Sequence, residues 1–341
     1  STNTTLTDGS ANGFYQTEDA MDRQIYADVL LMINKSFGEN WTLNANIGAS
    51  ISDIYSYTLY NGGAIRSDGL PNMFTQLDRN VASLKQTSWR EQSQSVFASV
   101  EVGFKGAYYL TLTGRNDWPS QLAGPHSNKS SFFYPSVGGS VVLNQAIPGM
   151  PLWIDLLKVR GSWASVGLPF KRFIANPGYA WNEATGAWET SKVFPLYDLK
   201  PEKTNSWEIG ATFKAKGFSL DISYYDALTF NQTFDSKLSV SSGYTTLYVQ
   251  TGSVRNNGVE LALGYEHTWG NFGWNTNFTF SHNHNNIEAL MDDYIHPETG
   301  AKISLSELNV GGKGNANFIL RPGGTLGDLY TNIDLNRDAN G

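Results

Sequence analysis

The 341-residue chain carries 24 Lys and Arg against 31 Asp and Glu, a net charge of −7, and it is 40% hydrophobic and 13% aromatic with 34 glycines. An acidic balance with no Lys/Arg stripe gives no electrostatic reason to expect nucleic acid as a partner. The absence of cysteine excludes a disulfide scaffold, thiol catalysis and Cys-ligated metal centres. No apolar run approaches the about 18 residues of a transmembrane helix, which leaves transmembrane barrel strands open, because these alternate and look polar in a hydropathy average. The chain opens STNTTLTDGS without a basic n-region or apolar h-region, so a signal peptide is expected to be removed or to lie upstream.

In chain order, the first elements are 25–35 and WTLNANIGASI at 41–51. In the latter, Trp41, Leu43, Ala45, Ile47, Ala49 and Ile51 alternate with Thr42, Asn44, Asn46, Gly48 and Ser50. Period two over eleven residues is a β-strand with one apolar and one polar face. The same pattern predicts strands at 96–104, 108–112, 133–143, 157–165, 207–213, 218–224, 259–265 and 274–280, with a weaker one at 318–330. Several can be extended to ten residues or more, beyond the five or six typical of soluble strands.

The connections alternate in length. Short ones fall at 37–40, 105–107, 144–155, 215–217 and 267–271, and long ones at about 53–92, 116–131, 167–203, 230–250 and 285–317. Every second turn therefore lies at the same end of an antiparallel up-and-down meander. All twelve prolines fall in connectors or near a strand start, as at Pro135, where a missing ladder donor does no harm.

Aromatics crowd the short-turn end: Phe37, Trp41, Phe104, Tyr108 and Tyr109, Trp153, Phe218, then Tyr265, Trp269, Phe272 and Trp274. Rings at the end of a soluble sandwich core would give a similar concentration. Long strands with alternating loops favour an interfacial girdle. The predicted fold is all-β, an antiparallel up-and-down transmembrane β-barrel, with Asn44, Asn46 and Ser50 facing a polar lumen and the apolar residues facing lipid. Glu101, Lys158, Arg160, Glu208, Asp221 and Glu260 alternate with apolar neighbours and are assigned to the lumen, since Lys or Arg facing mid-bilayer costs about 2–4 kcal/mol.

Several stretches carry a more specific signal. TLTGRNDWPSQL followed by SFFYPSVGGSVVL, then LKVRGSW, LKPEKTNSWEIG with FSLDISYYDA, and VRNNGVELAL leading to WNTNFTFSHNHNNI arrive in an order and spacing that resembles SusC/RagA-type TonB-linked outer-membrane transporters of Bacteroidota. The resemblance spans most of residues 20–330. It implies a barrel of about 22 strands around an N-terminal plug, a SusD-like surface lipoprotein that captures a glycan or peptide, and import powered by the TonB complex at the periplasmic side. The 341 residues would then be one part of that barrel domain, about eleven strands, without the plug, the TonB-engaging N-terminal part or the C-terminal strands. Two other readings stay open: a secreted or surface β-rich carbohydrate-binding adhesin, and a TonB-dependent siderophore receptor.

No catalytic constellation is present in the sequence, and neither an enzymatic activity nor a cofactor is expected. His282 and His284 in SHNHNN share a strand face, a spacing a metal could use, but no third ligand is near and an exposed polar strand end is the expectation. Asp334, Asn336, Asp338 and Asn340 alternate as at the start of a calcium loop, but Ala339 stands where glycine is usual, and an Asx-rich turn is expected. Tyr179, Trp181 and Trp188 stand among polar residues of a predicted outer loop, together with Arg115, Asp117 and Trp118 of GRNDW. Exposed rings there suit a ligand or partner chain, and packing of the loop on its neighbours is the competing role.

Overall fold

The computed structural model describes residues 2–3, 12–80, 82–176, 178–182, 185–194, 199–237, 243–295, 300, 302–331 and 333. The calcium-like stretch from Asp334 to Asn340 lies outside them. The strands are β1 (Thr2–Asn3), β2 (Phe14–Phe37), β3 (Trp41–Ala64), β4 (Ser83–Phe104), β5 (Tyr108–Pro119), β6 (Phe132–Val142), β7 (Leu156–Leu168), β8 (Ala180–Asn182), β9 (Ala187–Glu189), β10 (Glu202–Ala215), β11 (Phe218–Lys237), β12 (Thr246–Trp269), β13 (Phe272–Ala289), β14 (Met291–Ile295), β15 (Lys302–Leu305), β16 (Leu308–Lys313), β17 (Ala316–Leu320) and β18 (Leu329–Thr331). Eleven of them form one sheet in the order β1-β2-β3-β4-β5-β6-β7-β10-β11-β12-β13. Apart from the β8-β9 hairpin, which sits in a loop, the order follows the chain, so the sheet is an up-and-down meander. Among the described residues its two edge strands, β1 and β13, are not paired to each other.

Strand lengths exceed the sequence expectation. β2, β3 and β12 reach 24 residues each and β4 reaches 22. The ladders run on into stretches expected to be long loops, at 53–64, 83–92, 230–237, 246–250 and 285–289. Past the apolar band both faces meet polar surroundings, so the period-two signal fades while backbone pairing continues. The expected eleventh strand at 318–330 is instead β17 and β18 of a separate three-stranded sheet with β16. Its length is divided by the turn residues Pro322, Gly323 and Gly324.

The short turns explain their tightness. Between β10 and β11, Lys216 and Gly217 both have positive φ, 49° and 81°, the pair of left-handed conformations a type I′ hairpin needs to match strand twist.

Two compact units divide the long strands: residues 1–28 with 50–94, and 29–49 with 95–341. In the first, Asp53 accepts Arg90 Nη2 and Nε at 2.6 and 2.8 Å and Gln92 Nε2 at 3.2 Å, Ile65 bridges to Leu77 with both buried, and Tyr15 packs on Phe74 at 4.9 Å between centroids. In the second, most buried apolar residues form two clusters where strand ends meet loops. One cluster gathers Phe234, Val254, Ile287, Leu290, Met291, Leu308 and Leu320, and the other Leu122, Phe170, Ile174, Ala175 and Leu199. Both sit at the long-loop ends of the strands.

Candidate functional site

Within the second unit, strand register sorts the side chains into two faces. Val137 lies opposite Trp163, Trp163 opposite Trp207, Ile209 pairs with Tyr224, and Ile222 pairs with Leu261, itself opposite Phe280. This face is apolar and bare: Ile209 is 56% exposed, Phe280 51%, Leu112 49% and Val159 45%. Rings bound it on both sides. At the short-turn end Trp41 meets Phe104 at 4.4 Å, Phe213 lies between Trp153 and Phe218, and Trp269 meets Phe272 at 6.1 Å. At the other, Trp207 meets Tyr224 at 5.3 Å. From Phe213 to Trp207 the strand runs about 20 Å along its own axis, about 15 Å of height at the tilt of barrel strands, so these two rings fall within an outer-membrane apolar band and its borders. Charge resumes above it, where Asp226, opposite Trp207, accepts Arg255 Nη1 at 3.0 Å. Tyr109 differs from the expected girdle: it pairs with Ser140, which is opposite Arg160, and so belongs to the other face.

That other face is polar: register places Lys158, Arg160, Glu208, Asp221 and Glu260 on it, and hydrogen bonds to Thr111 and Asn44 place Glu101 there. Asn44 Nδ2 and Thr111 Oγ1 donate to the two oxygens of Glu101, each at 3.3 Å, and Asn46 Nδ2 donates to Ser99 at 3.2 Å. Arg160 forks onto Asp221 at 2.9 and 3.0 Å, with Thr212 Oγ1 donating to the same carboxylate at 2.6 Å and Glu208 at 3.6 Å from Arg160 Nε. Planar guanidinium matches carboxylate in this bidentate form, so the pair fixes geometry as well as charge. Glu101, Lys158, Arg160 and Glu208 line one cavity of about 390 Å³. Glu260 stands apart from it, opposite Ser223 and Ser281. Gly48 also faces this side, where a Cβ would come within 2.5 Å of the Phe97 ring; glycine gives that ring its room.

GRNDW is strand rather than loop, and alternation splits it. Arg115 and Asp117 are on the polar face, with Trp118 on the apolar one, 44% exposed. Arg115 Nε donates to Asp117 at 2.7 Å and Nη2 to buried Ser95 at 2.8 Å, its guanidinium lies 5.5 Å from the Phe97 ring centre, and the Tyr134 hydroxyl donates to Asp117. Tyr134, directly across from Arg115, is a member that sequence reasoning missed, because cross-strand neighbours depend on register. The network's groups satisfy one another, an ordering arrangement rather than an open binding one.

Tyr179, Trp181 and Trp188 lie together in the loop between β7 and β10. Trp181 and Trp188 are cross-strand partners in the β8-β9 hairpin, 5.5 Å apart and edge-to-face, yet 53% and 68% exposed, with Tyr179 at 72%. The hairpin is held by Asn182 Nδ2 donating to Glu189 at 2.6 Å and by Lys192 at 3.3 Å from the same carboxylate. These two partners, Asn182 first, hold the Glu189 carboxyl below its usual value. Lys192 carbonyl oxygen takes Thr245 N–H at 2.8 Å, which ties the loop to the start of β12. His282 and His284 lie across from Val259 and Asn257, on the face that carries the apolar band. No group of three metal-ligating side chains occurs among the described residues.

Long antiparallel strands with one bare apolar face between aromatic belts and one charged face define the wall of a transmembrane β-barrel. Residues 1–333 match the family model described as TonB dependent receptor-like, beta-barrel, and the chain belongs to that family. It is therefore an outer-membrane protein. It is 23% identical over 311 residues to TonB-dependent receptor P39 of Formosa agariphila, covering 87% of this chain and 28% of that one. A second TonB-dependent receptor of the same organism is 26% identical over 287 residues, covering 77% and 27%. Among solved structures, the RagAB peptide importer in its closed-closed state superposes with a TM-score of 0.74 at 19% identity, covering 91% of this chain and 33% of that one. The outer membrane transporter YddB of Escherichia coli gives 0.51 at 12% identity, covering 82% and 35%. The chain spans about a third or less of the length of these relatives. Relatives and fold are those of TonB-dependent transporters, not of enzymes.

Proposed function

We propose that residues 1–341 are one stretch of the barrel domain of a TonB-powered importer that takes up a glycan or a peptide with the help of a SusD-like surface lipoprotein. The observation that carries this reading is the division of one sheet into a bare apolar face and a hydrogen-bonded charged face, centred on Arg160, Asp221 and Glu208. A barrel in lipid keeps charges on its inner wall. Glu101, Lys158, Arg160, Glu208, Asp221 and Glu260 then face the lumen, where a plug and passing solute meet them. TonB engages a part of the protein outside these residues. Tyr179, Trp181 and Trp188, held out on a braced hairpin, offer ring faces to a sugar or to the partner lipoprotein. Arg115, Asp117 and Tyr134 order their own strands through mutual hydrogen bonds.

The test is to extract the full-length protein from native outer membranes in mild detergent and identify what co-purifies. A stoichiometric lipoprotein is expected, and Trp181→Ala/Trp188→Ala is expected to weaken its retention or ligand uptake about tenfold or more, two exposed aromatic anchors being removed together. Recovery without a lipoprotein, together with iron-regulated expression, overturns this reading in favour of a siderophore receptor. Recovery in the soluble fraction returns the apolar face to a protein core, as an adhesin would have it.

A further inference from the structure

On the face that carries the apolar band, but beyond it toward the long loops, lies a cavity of about 660 Å³. Register fixes its orientation. Phe133 alternates with Val137 along β6, Asn116 lies across from Phe133, and Lys203, across from Gly167, alternates with Trp207 along β10. The cavity therefore opens outward, where a barrel wall meets the headgroup layer, and not into the lumen.

Three lysines, Lys129, Lys200 and Lys203, line it with a single carboxylate, Glu202, in a chain whose net charge is −7. Asn116 and Asn231 add amides, and Phe133, 60% exposed, adds a bare ring face. The walls are built rather than loose. Leu122, Phe170, Ile174, Ala175 and Leu199 pack beneath, with Phe132 against them. Gln250, 8% exposed, accepts the Lys200 N–H at 2.8 Å and donates to the Lys200 carbonyl at 2.6 Å, and Asn231 Nδ2 donates to the Pro201 carbonyl at 3.2 Å. At Gly167 a Cβ would stand 2.6 Å from the Phe132 ring, so that close approach needs glycine.

A volume in the range of ligand sites, braced walls and an excess of lysine in the lining are the features that suit a ligand. Ammonium groups are point charges suited to phosphate, while amides and an exposed ring suit the hydroxyls and faces of a sugar. We propose that the cavity binds a phosphorylated sugar, and that the headgroup layer of the outer leaflet, which this face meets, is its source. The inference rests on the proposed function only for which leaflet lies beside the cavity. The chemistry follows from the lining.

The test uses the full-length protein. In one arm, glucosamine 1-phosphate and glucosamine are titrated in detergent. In the other, the protein is placed in nanodiscs carrying bisphosphorylated or dephosphorylated lipid A, and the retained lipid is counted by native mass spectrometry. Preference for the phosphorylated lipid by about tenfold or more is expected, weakening as salt rises. Lys129→Gln/Lys203→Gln is expected to abolish it with an unchanged unfolding midpoint, both side chains being exposed. Preference in the nanodisc arm alone assigns the headgroup. Strong binding of free glucosamine 1-phosphate with no lipid preference overturns the membrane source, and no preference in either arm, or one that survives the double substitution, overturns the site. Neither arm needs TonB or a partner lipoprotein, so failure here leaves the import reading standing, and the reverse also holds.

Discussion

Glu189 shows how a single carboxylate sets the display of two tryptophans. Its bonds to Asn182 and Lys192 close the hairpin that holds Trp181 against Trp188. Because those partners lower its folded value below the ordinary 4.5, the stabilisation is complete above the ordinary value and is lost as pH falls through the lowered one. The exciton couplet of the Trp pair, read as the circular-dichroism difference from Trp188→Phe, should therefore persist at neutral pH and fade only below the ordinary glutamate range. Glu189→Gln should remove that pH dependence. A couplet that fades instead between pH 6 and 7 would contradict the assignment. The pairing of Trp181 with Trp188 was not visible in GYAWNEATGAWET, where six residues separate the two; only the hairpin's register put them face to edge.

At the scale of elements, the turns are where one residue decides most. Gly106 and Gly217 both have positive φ, 63° and 81°, but a Cβ on Gly106 meets nothing within 4 Å while one on Gly217 would sit 2.0 Å from the Glu266 carbonyl oxygen. Gly106→Ala should cost about 1–2 kcal/mol, the penalty of a left-handed L-residue. Gly217→Ala should cost roughly another 1–3 kcal/mol, because backbone must move. Urea unfolding midpoints of the two variants in the same vesicles compare them, and equal losses would show that the β12 backbone does not confine this turn. Strand identity was legible wherever both faces differ chemically, as in Trp41 to Ile51. It was not legible in SDIYSYTLYNGGA, which continues β3, because beyond the apolar band nothing forces the two faces apart. Residues 318–330 misled for the opposite reason: apolar content suggested one strand of the wall, and turn residues within it divide it between two short ones.

For the molecule as a whole, the surroundings of each face set what it tolerates. Ile209→Lys places an ammonium on the bare apolar face and should reduce folding stability in vesicles by about 2–4 kcal/mol if the site lies near mid-bilayer depth. Ser162→Lys, one strand away on the charged face and directly across from Glu208, should cost close to nothing. The heat-modifiable shift in electrophoresis and the folding yield distinguish them, and equal tolerance of both would remove lipid from the apolar face.

The sequence by itself determined the strands' existence, their up-and-down order and which side chains alternate, because period two and alternating turn lengths are local properties. It also carried the family resemblance, through ordered strand-and-turn stretches such as GRNDW and NNGVELAL. Only the tertiary structure decided how far the ladders run, that Arg115 leans on Ser95 and Asp117 on Tyr134, that Arg160 forks onto Asp221, and that Lys129, Lys200 and Lys203 line one cavity. The reason is physical: alternation fixes a side chain's face, but its neighbours across the strand depend on register and on loop packing, which are set by contacts between residues distant along the chain.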